Sequence, residues 1–238
     1  MTRTTQLELP LVLPAQAQKH VTVNEALARL DAVTQLCIDS SVLSAPPASV
    51  VEGNSYLVPD GAIGEWAGAS RKVAVWSNGG WLFLQPRPGW RAWDQGRGSF
   101  QIFDGEGWSQ DAVAVSAHGS GLGLRVMEFD HTVTAGPSNI TAPVVPAQSL
   151  VIGVTGRVVS GLTGSGLTGW RIGVAGSDNR YGSGLGTGLN SHLIGLSGAP
   201  VAYYAATPLL ITAEGGSFSG GAIRLAVHIA TLQPPRPV

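Results

Sequence analysis

Charge is what this sequence has least of. Only 12% of its 238 residues are Asp, Glu, Lys or Arg, and the formal net charge is −1. A surface with so little charge must be covered by Ser, Thr, Gly, Asn and backbone. With no basic run and no acidic tail, a nucleic-acid partner held by phosphate contacts is excluded. The single cysteine, Cys37, rules out an intrachain disulfide and reads as a small buried hydrophobe. No run approaches the ~20 apolar residues of a membrane helix, so no membrane insertion is expected. No long apolar stretch follows Arg3 as a secretory signal would require. The chain is therefore expected to be made in the cytoplasm and to reach the outside by lysis or as part of a particle.

What the sequence has in quantity is turns. It carries 33 glycines and 15 prolines, yet 44% of its residues are apolar, which describes a folded, turn-rich protein and not a disordered one. The prolines of Leu9-Pro10-Leu11-Val12-Leu13-Pro14 favour an extended start. Asn24 is placed to cap a helix over roughly residues 24–39, whose stripe is Leu27, Leu30, Thr34 and Cys37, with Ala26, Val33 and Leu36 beside it. That stripe must pack on its own domain or on neighbouring subunits. Ser44-Ala45-Pro46-Pro47-Ala48-Ser49 reads as a linker.

Six of the seven tryptophans then fall between Trp66 and Trp108. Trp76 and Trp81 flank Ser77-Asn78-Gly79-Gly80, and Phe103 and Trp108 flank Asp104-Gly105-Glu106-Gly107. Asn-Gly and Asp-Gly are hairpin signals, and the aromatics would pair across each hairpin as core. Trp90 and Trp93 fit this pattern less well and are the better candidates for an exposed contact. After the Gly/Ser-rich stretch 116–123 the chain reads as strands alone, near 124–130, 131–135, 149–159, 170–175, 192–196, 201–204, 209–214 and 222–232. The expected fold is mainly β: residues 1–45 an extended segment and helix, 46–115 a small Trp-rich β-hairpin region, 116–123 a linker, and 124–238 a jelly-roll-like β-sandwich.

Catalytic signals are sparse. The five histidines (His20, His118, His131, His192, His228) are isolated, no metal spacing occurs, and no cofactor fingerprint stands before a helix. No catalytic residue, metal or cofactor is expected, and the chain reads as a non-enzyme. A hydrolase built on Asp178 and Glu214 is the enzymatic alternative. The one polar-aromatic island in the glycine-rich half is Trp170, Arg171, Asp178, Asn179, Arg180 and Tyr181, to which Tyr203 and Tyr204 are added. Aromatic faces stack on sugar rings, and Arg, Asp and Asn fix hydroxyls, so these eight form a candidate carbohydrate site. The competing reading makes Trp170 core and Asp178-Asn179 a turn, and pairs Arg180 with Asp178 or Glu214.

One stretch carries a resemblance. Pro14-Ala15-Gln16-Ala17-Gln18-Lys19-His20-Val21-Thr22-Val23-Asn24-Glu25-Ala26-Leu27, followed by Leu30-Asp31-Ala32, resembles the opening of a family of prophages and phage-like gene transfer agents. That family was long catalogued as a domain of unknown function. The likeness extends through Gly53-Asn54-Ser55-Tyr56, the two aromatic hairpins, Gly169-Trp170-Arg171-Ile172-Gly173-Val174, Asp178-Asn179-Arg180-Tyr181-Gly182 and Tyr203-Tyr204. It implies a head spike or fibre on the virion surface, anchored to other capsid or spike proteins by its N-terminal part. Its distal domain would adhere to host capsular polysaccharide. Closed oligomers about one axis are usual for such fibres, and a homotrimer is expected. A purely structural decoration subunit and a polysaccharide depolymerase are the alternatives.

Overall fold

The computed structural model describes residues 2–13 and 19–237, so Pro14 to Gln18 of the N-terminal motif lie outside the described residues. The chain forms two compact units: Met1–Gly121 with Pro234–Val238, and Leu122–Gln233. Residues 1–45 and 46–115 thus share one unit, and the last residues belong to it as well.

The first unit holds helix α1 (Lys19–Val33) and short strands β1 (Cys37–Ile38), β2 (Ser55–Leu57), β3 (Val73–Ser77), β4 (Gly80–Leu84), β5 (Arg91–Asp94), β6 (Ser99–Phe103), β7 (Trp108–Ser109) and β8 (Ala112–Val115). Two small sheets run β2-β3-β4 and β1-β5-β6-β7. Ala32, just ahead of the helix end, packs with Leu36, Ile38, Val73, Val75 and Ala92 in one core cluster.

The helix departs from its sequence reading. It starts at Lys19 and ends at Val33, so Asn24 lies inside it and is no cap. The Asn24 amide instead accepts from the Val12 N–H at 2.8 Å and donates to the Val12 carbonyl at 3.0 Å. Leu30 is 51% exposed, and its neighbour Asp31 turns inward. The reason is the N-terminal arm. Its residues 2–11 close on themselves through Arg3 and Pro10, and the loop they form offers unpaired N–H groups to the helix. The Asp31 carboxylate accepts from the Thr4 hydroxyl at 2.6 Å, the Leu7 N–H at 2.7 Å and the Gln6 N–H at 2.9 Å. A polar anchor therefore takes the place the apolar stripe was expected to fill. The helix packs within its own unit.

This anchor makes a pH prediction. Burial alone would raise the Asp31 pKa, but the hydrogen bonds from Thr4, Gln6 and Leu7 outweigh it and hold the carboxyl below its ordinary value of 3.8. The folded value lies below the unfolded one, so the stabilisation is fully present above the unfolded value and is lost as pH falls through the folded one. Asp31→Asn should loosen the arm by about 1.5–3 kcal/mol at neutral pH. Amide exchange at Gln6 and Leu7 checks this: faster exchange in the variant is expected, and unchanged exchange refutes the anchor.

Both aromatic hairpins form as read. Trp76 pairs with Trp81 across β3–β4, with ring centroids 5.1 Å apart, and Phe103 pairs with Trp108 across β6–β7 at 5.2 Å. Asn78 (φ 51°) and Gly79 (φ 78°) both take positive φ, the requirement of a type I′ turn. In the second hairpin Asp104 does the work of the turn by accepting from the N–H groups of Glu106 and Gly107. The centre of the cluster is Trp66, fully buried between Tyr56 and Trp81. Trp76, Trp81 and Trp108 are half-buried, while Trp93 is exposed and stacks edge-on against exposed Phe100. Cys37 is half-buried, and burial followed by nearby Asp39 pushes its thiol pKa up, which suits an inert residue.

The second unit contains β9 (Gly121–Thr132), β10 (Ser138–Ile140), β11 (Ser149–Thr163), β12 (Gly169–Val174), β13 (Ser177–Leu185), β14 (His192–Tyr203), β15 (Leu210–Glu214) and β16 (Gly220–Gln233). In one sheet β14, β11, β16 and β9 are neighbours in that order, and in the other β10, β15, β12 and β13. The pairs β9–β16, β10–β15, β11–β14 and β12–β13 nest inside one another like rungs of one long hairpin. That hairpin is rolled so that β11 also meets β16 and β12 also meets β15. Such a roll is the jelly-roll arrangement. Its core gathers inward residues of both sheets, among them Val154, Trp170, Ile172, Leu209, Ile211, Ile223, Leu225 and Val227. The two strands expected near 124–130 and 131–135 are one, β9, which ends at Thr132, and those expected near 192–196 and 201–204 are one, β14, which ends at Tyr203; Pro200 is tolerated because β14 is an edge strand with a register shift beside it.

Candidate functional site

The polar-aromatic island is a hairpin. β12 and β13 are joined at Ala175-Gly176, where Gly176 takes φ 80°, so the turn is there and not at Asp178-Asn179. The register shifts twice along the hairpin, and the bulged β13 backbone presses on Gly173, where a Cβ would come 2.0 Å from the Ser177 carbonyl oxygen.

Alternation then sorts the side chains. Trp170 points inward and is 1% exposed, and its indole N–H donates to the Gly186 carbonyl at 3.0 Å. Tyr181 and Tyr203 are also buried, and their hydroxyls hydrogen-bond each other at 2.7 Å. Burial first, and then the Tyr203 hydroxyl, push the Tyr181 phenol far above its ordinary pKa. Residue type alone makes these three candidate ligand contacts. The structure places them in the core, because period-2 alternation sends them to the inner face of strands β12, β13 and β14.

Arg171 points outward from β12. Its Nε donates to the Asp178 carboxylate at 2.8 Å, and its Nη1 lies 4.0 Å from the Glu214 carboxylate on β15. Glu214 also accepts from the Gly184 N–H at 2.9 Å. Asp178 and Glu214 therefore flank one guanidinium, and it is Arg171, not Arg180, that pairs with them. Asn179 and Arg180 are exposed on the same hairpin, while Tyr204 follows the end of β14 with 86% exposure. Of the eight candidates, Arg171, Asp178, Asn179 and Arg180 are brought together on the outer surface of one hairpin. Among the described residues no group of three or more His, Cys, Asp or Glu is gathered that could hold a metal, and no helix is long and apolar enough to cross a membrane.

A second surface went unread in the sequence. The outward positions of β9, β11, β14 and β16 include Leu124, Val126, Ile152, Ile194, Leu196 and Leu232, each at least 38% exposed. The signal was present: Leu150-Val151-Ile152 and Leu193-Ile194-Gly195-Leu196 are apolar at consecutive positions, so both strand faces are apolar there.

Comparison with known proteins adds the following. No curated protein matches the sequence. One solved chain, from the "Cyanophage Pam1 capsid asymmetric unit", is 24% identical with a TM-score of 0.32, covering 50% of this chain and 92% of that chain. Residues 23–109 match the family described as "Protein of unknown function (DUF2793)", a span that lies within the first unit, runs from α1 through the two aromatic hairpins, and leaves the jelly roll outside it.

Proposed function

We propose that this chain is a structural, non-enzymatic protein of a phage-like particle, a head spike or fibre of a gene transfer agent or prophage. It is displayed on the virion surface as a homotrimer, and its jelly roll adheres to host capsular polysaccharide. The observation that carries the adhesion is the outer face of the β12–β13 hairpin. Arg171 is held between Asp178 and Glu214 on a packed sheet, beside exposed Asn179 and Arg180. Fixed donors and acceptors on a sandwich whose core locks their backbone suit hydroxyl-rich ligands. The particle assignment draws on the N-terminal motif and on the family span 23–109.

The arrangement of the acids supports the non-enzymatic reading. A glycosidase needs one carboxyl kept protonated and one free, whereas here both face the same guanidinium. The test is binding of purified capsular polysaccharide to the whole chain. Asn179→Ala with Arg180→Ala removes two exposed side chains and should weaken binding about tenfold or more with the fold intact. Undiminished binding by that double variant removes the hairpin from the site. A chain that attaches tightly to particles but binds no host polymer is instead a decoration subunit, a reading favoured by the apolar outer face of the β14-β11-β16-β9 sheet. Reducing ends released from capsule, and lost on changing Asp178 or Glu214, would establish a depolymerase.

A further inference from the structure

The two outer faces of the jelly roll are dressed differently. Outside the β10-β15-β12-β13 sheet stand Arg171, Asp178, Thr212 and Glu214, the polar dress of a solvated antiparallel sheet. Outside the β14-β11-β16-β9 sheet exposed apolar side chains stand around one polar pair, Thr155 and His228, 3.0 Å apart. Ile194 and Leu196 are 68% and 73% exposed on β14, Val126 54% on β9 and Leu232 72% on β16. Alanines 226 and 230 lie on the same face of β16, where they keep it shallow. An apolar face of this extent on a chain otherwise rich in Gly, Ser and Thr marks a surface that is covered in the working assembly.

The charges at one end of this face say what covers it. Arg157 on β11 stands in register with His192 on β14 and with Arg224 on β16, so basic side chains run in one row across three strands. The next strand, β9, carries Glu128 and Asp130 on the same outer face. Arg224 chelates Asp130 through two hydrogen bonds, at 2.7 and 2.8 Å. That leaves a surplus on each side. Among the described residues Arg157 donates to the Asn190 carbonyl at 3.0 Å and has no carboxylate within 4.0 Å, while Glu128 has no ion pair within 4.0 Å and adds its charge to that of Asp130 beside Arg224. One copy therefore carries a cation without a carboxylate partner toward β14 and, on β9, two carboxylates that share the one guanidinium of Arg224, with the apolar stripe running along the strands beside them. A rotation axis parallel to the strands superposes the cationic side of one copy on the anionic side of the next and apolar stripe on apolar stripe.

We propose that the outer face of the β14-β11-β16-β9 sheet is the self-association surface of this protein, its occupant a second copy of the same chain related by rotation about an axis parallel to the strands, with Arg157 of one copy facing Glu128 of the next. The surface does not depend on polysaccharide binding, and its test reads assembly alone.

The experiment is sedimentation equilibrium on the full chain. Wild type should be oligomeric at micromolar concentration. Arg157→Glu and Glu128→Arg should each weaken association about tenfold or more, because each sets like charges against each other. The two changes in one chain should restore association to within about threefold of wild type, a rescue that misfolding cannot mimic. Ile194→Glu, at a position 68% exposed, should also dissociate the oligomer while leaving the melting of the chain unchanged. A monomeric wild type overturns the proposal, as does an oligomer that neither Arg157→Glu nor Ile194→Glu weakens.

Discussion

Trp170→Ala is expected to cost the second unit about 3–5 kcal/mol, the range for deleting a large buried aromatic. The indole is 1% exposed within a core that includes Ile172, Leu209 and Ile211, so its removal leaves a cavity that neighbouring strands cannot close without breaking register. It also leaves the Gly186 carbonyl without the donor it now has at 3.0 Å. A loss of that size is a large fraction of what holds an ordinary domain together, so the jelly roll should melt early or fail to fold. Thermal and denaturant melts of the whole chain check it. A surface residue that merely stacked on a sugar would change stability by no more than about 0.5 kcal/mol. An unchanged melt combined with lost polysaccharide binding would therefore return Trp170 to the site.

The same residue shows where sequence reading succeeds and where it stops. Ile223, Leu225, Val227 and Ile229 alternate with more polar neighbours, and β16 was legible because its inner face is uniformly apolar. Trp76, Asn78-Gly79 and Trp81 were legible because the turn chemistry and the cross-strand pair agree. β13 was not. Ser177 to Leu185 has few apolar residues, only Tyr181 is fully buried, and the polar residues that drew attention are its outward face. Composition within a window cannot separate a binding loop from the solvent side of a strand; that distinction needs the register with β12. Asn24 misled for a related reason. An asparagine before an apolar run is a cap only if the helix starts there, and here the amide serves a segment that precedes it by twelve residues in the chain. The apolar outer sheet face is not legible from alternation, because period 2 marks the buried side of a strand only where the other side is polar.

Gly195→Ala is the second large effect, and it tests why the tyrosines became core. Gly195 lies on β14, the edge strand of one sheet, opposite β13, the edge strand of the other. A Cβ at Gly195 would come 2.0 Å from the Tyr181 carbonyl oxygen and 2.8 Å from its carbonyl carbon, and both are backbone atoms that no rotamer change can move. The two sheets thus touch backbone to backbone at this edge, which closes the sandwich and brings Tyr181 against Tyr203. One methyl group must push β13 outward by more than an ångström. That shift should break the 2.7 Å hydroxyl pair, strand two phenols in apolar surroundings, and tilt the hairpin that presents Asn179 and Arg180. Overpacking of a core by one carbon typically costs 1–3 kcal/mol, and a fixed backbone contact puts this case at the upper end, about 3 kcal/mol. The second unit should then melt roughly 10–20 °C lower. Tyr181→Phe separates the causes: it deletes the hydroxyl contact without moving the backbone and should cost only about 1 kcal/mol. If Gly195→Ala costs no more than Tyr181→Phe, the edge can open freely, and Tyr181 is not confined to the core by sheet closure.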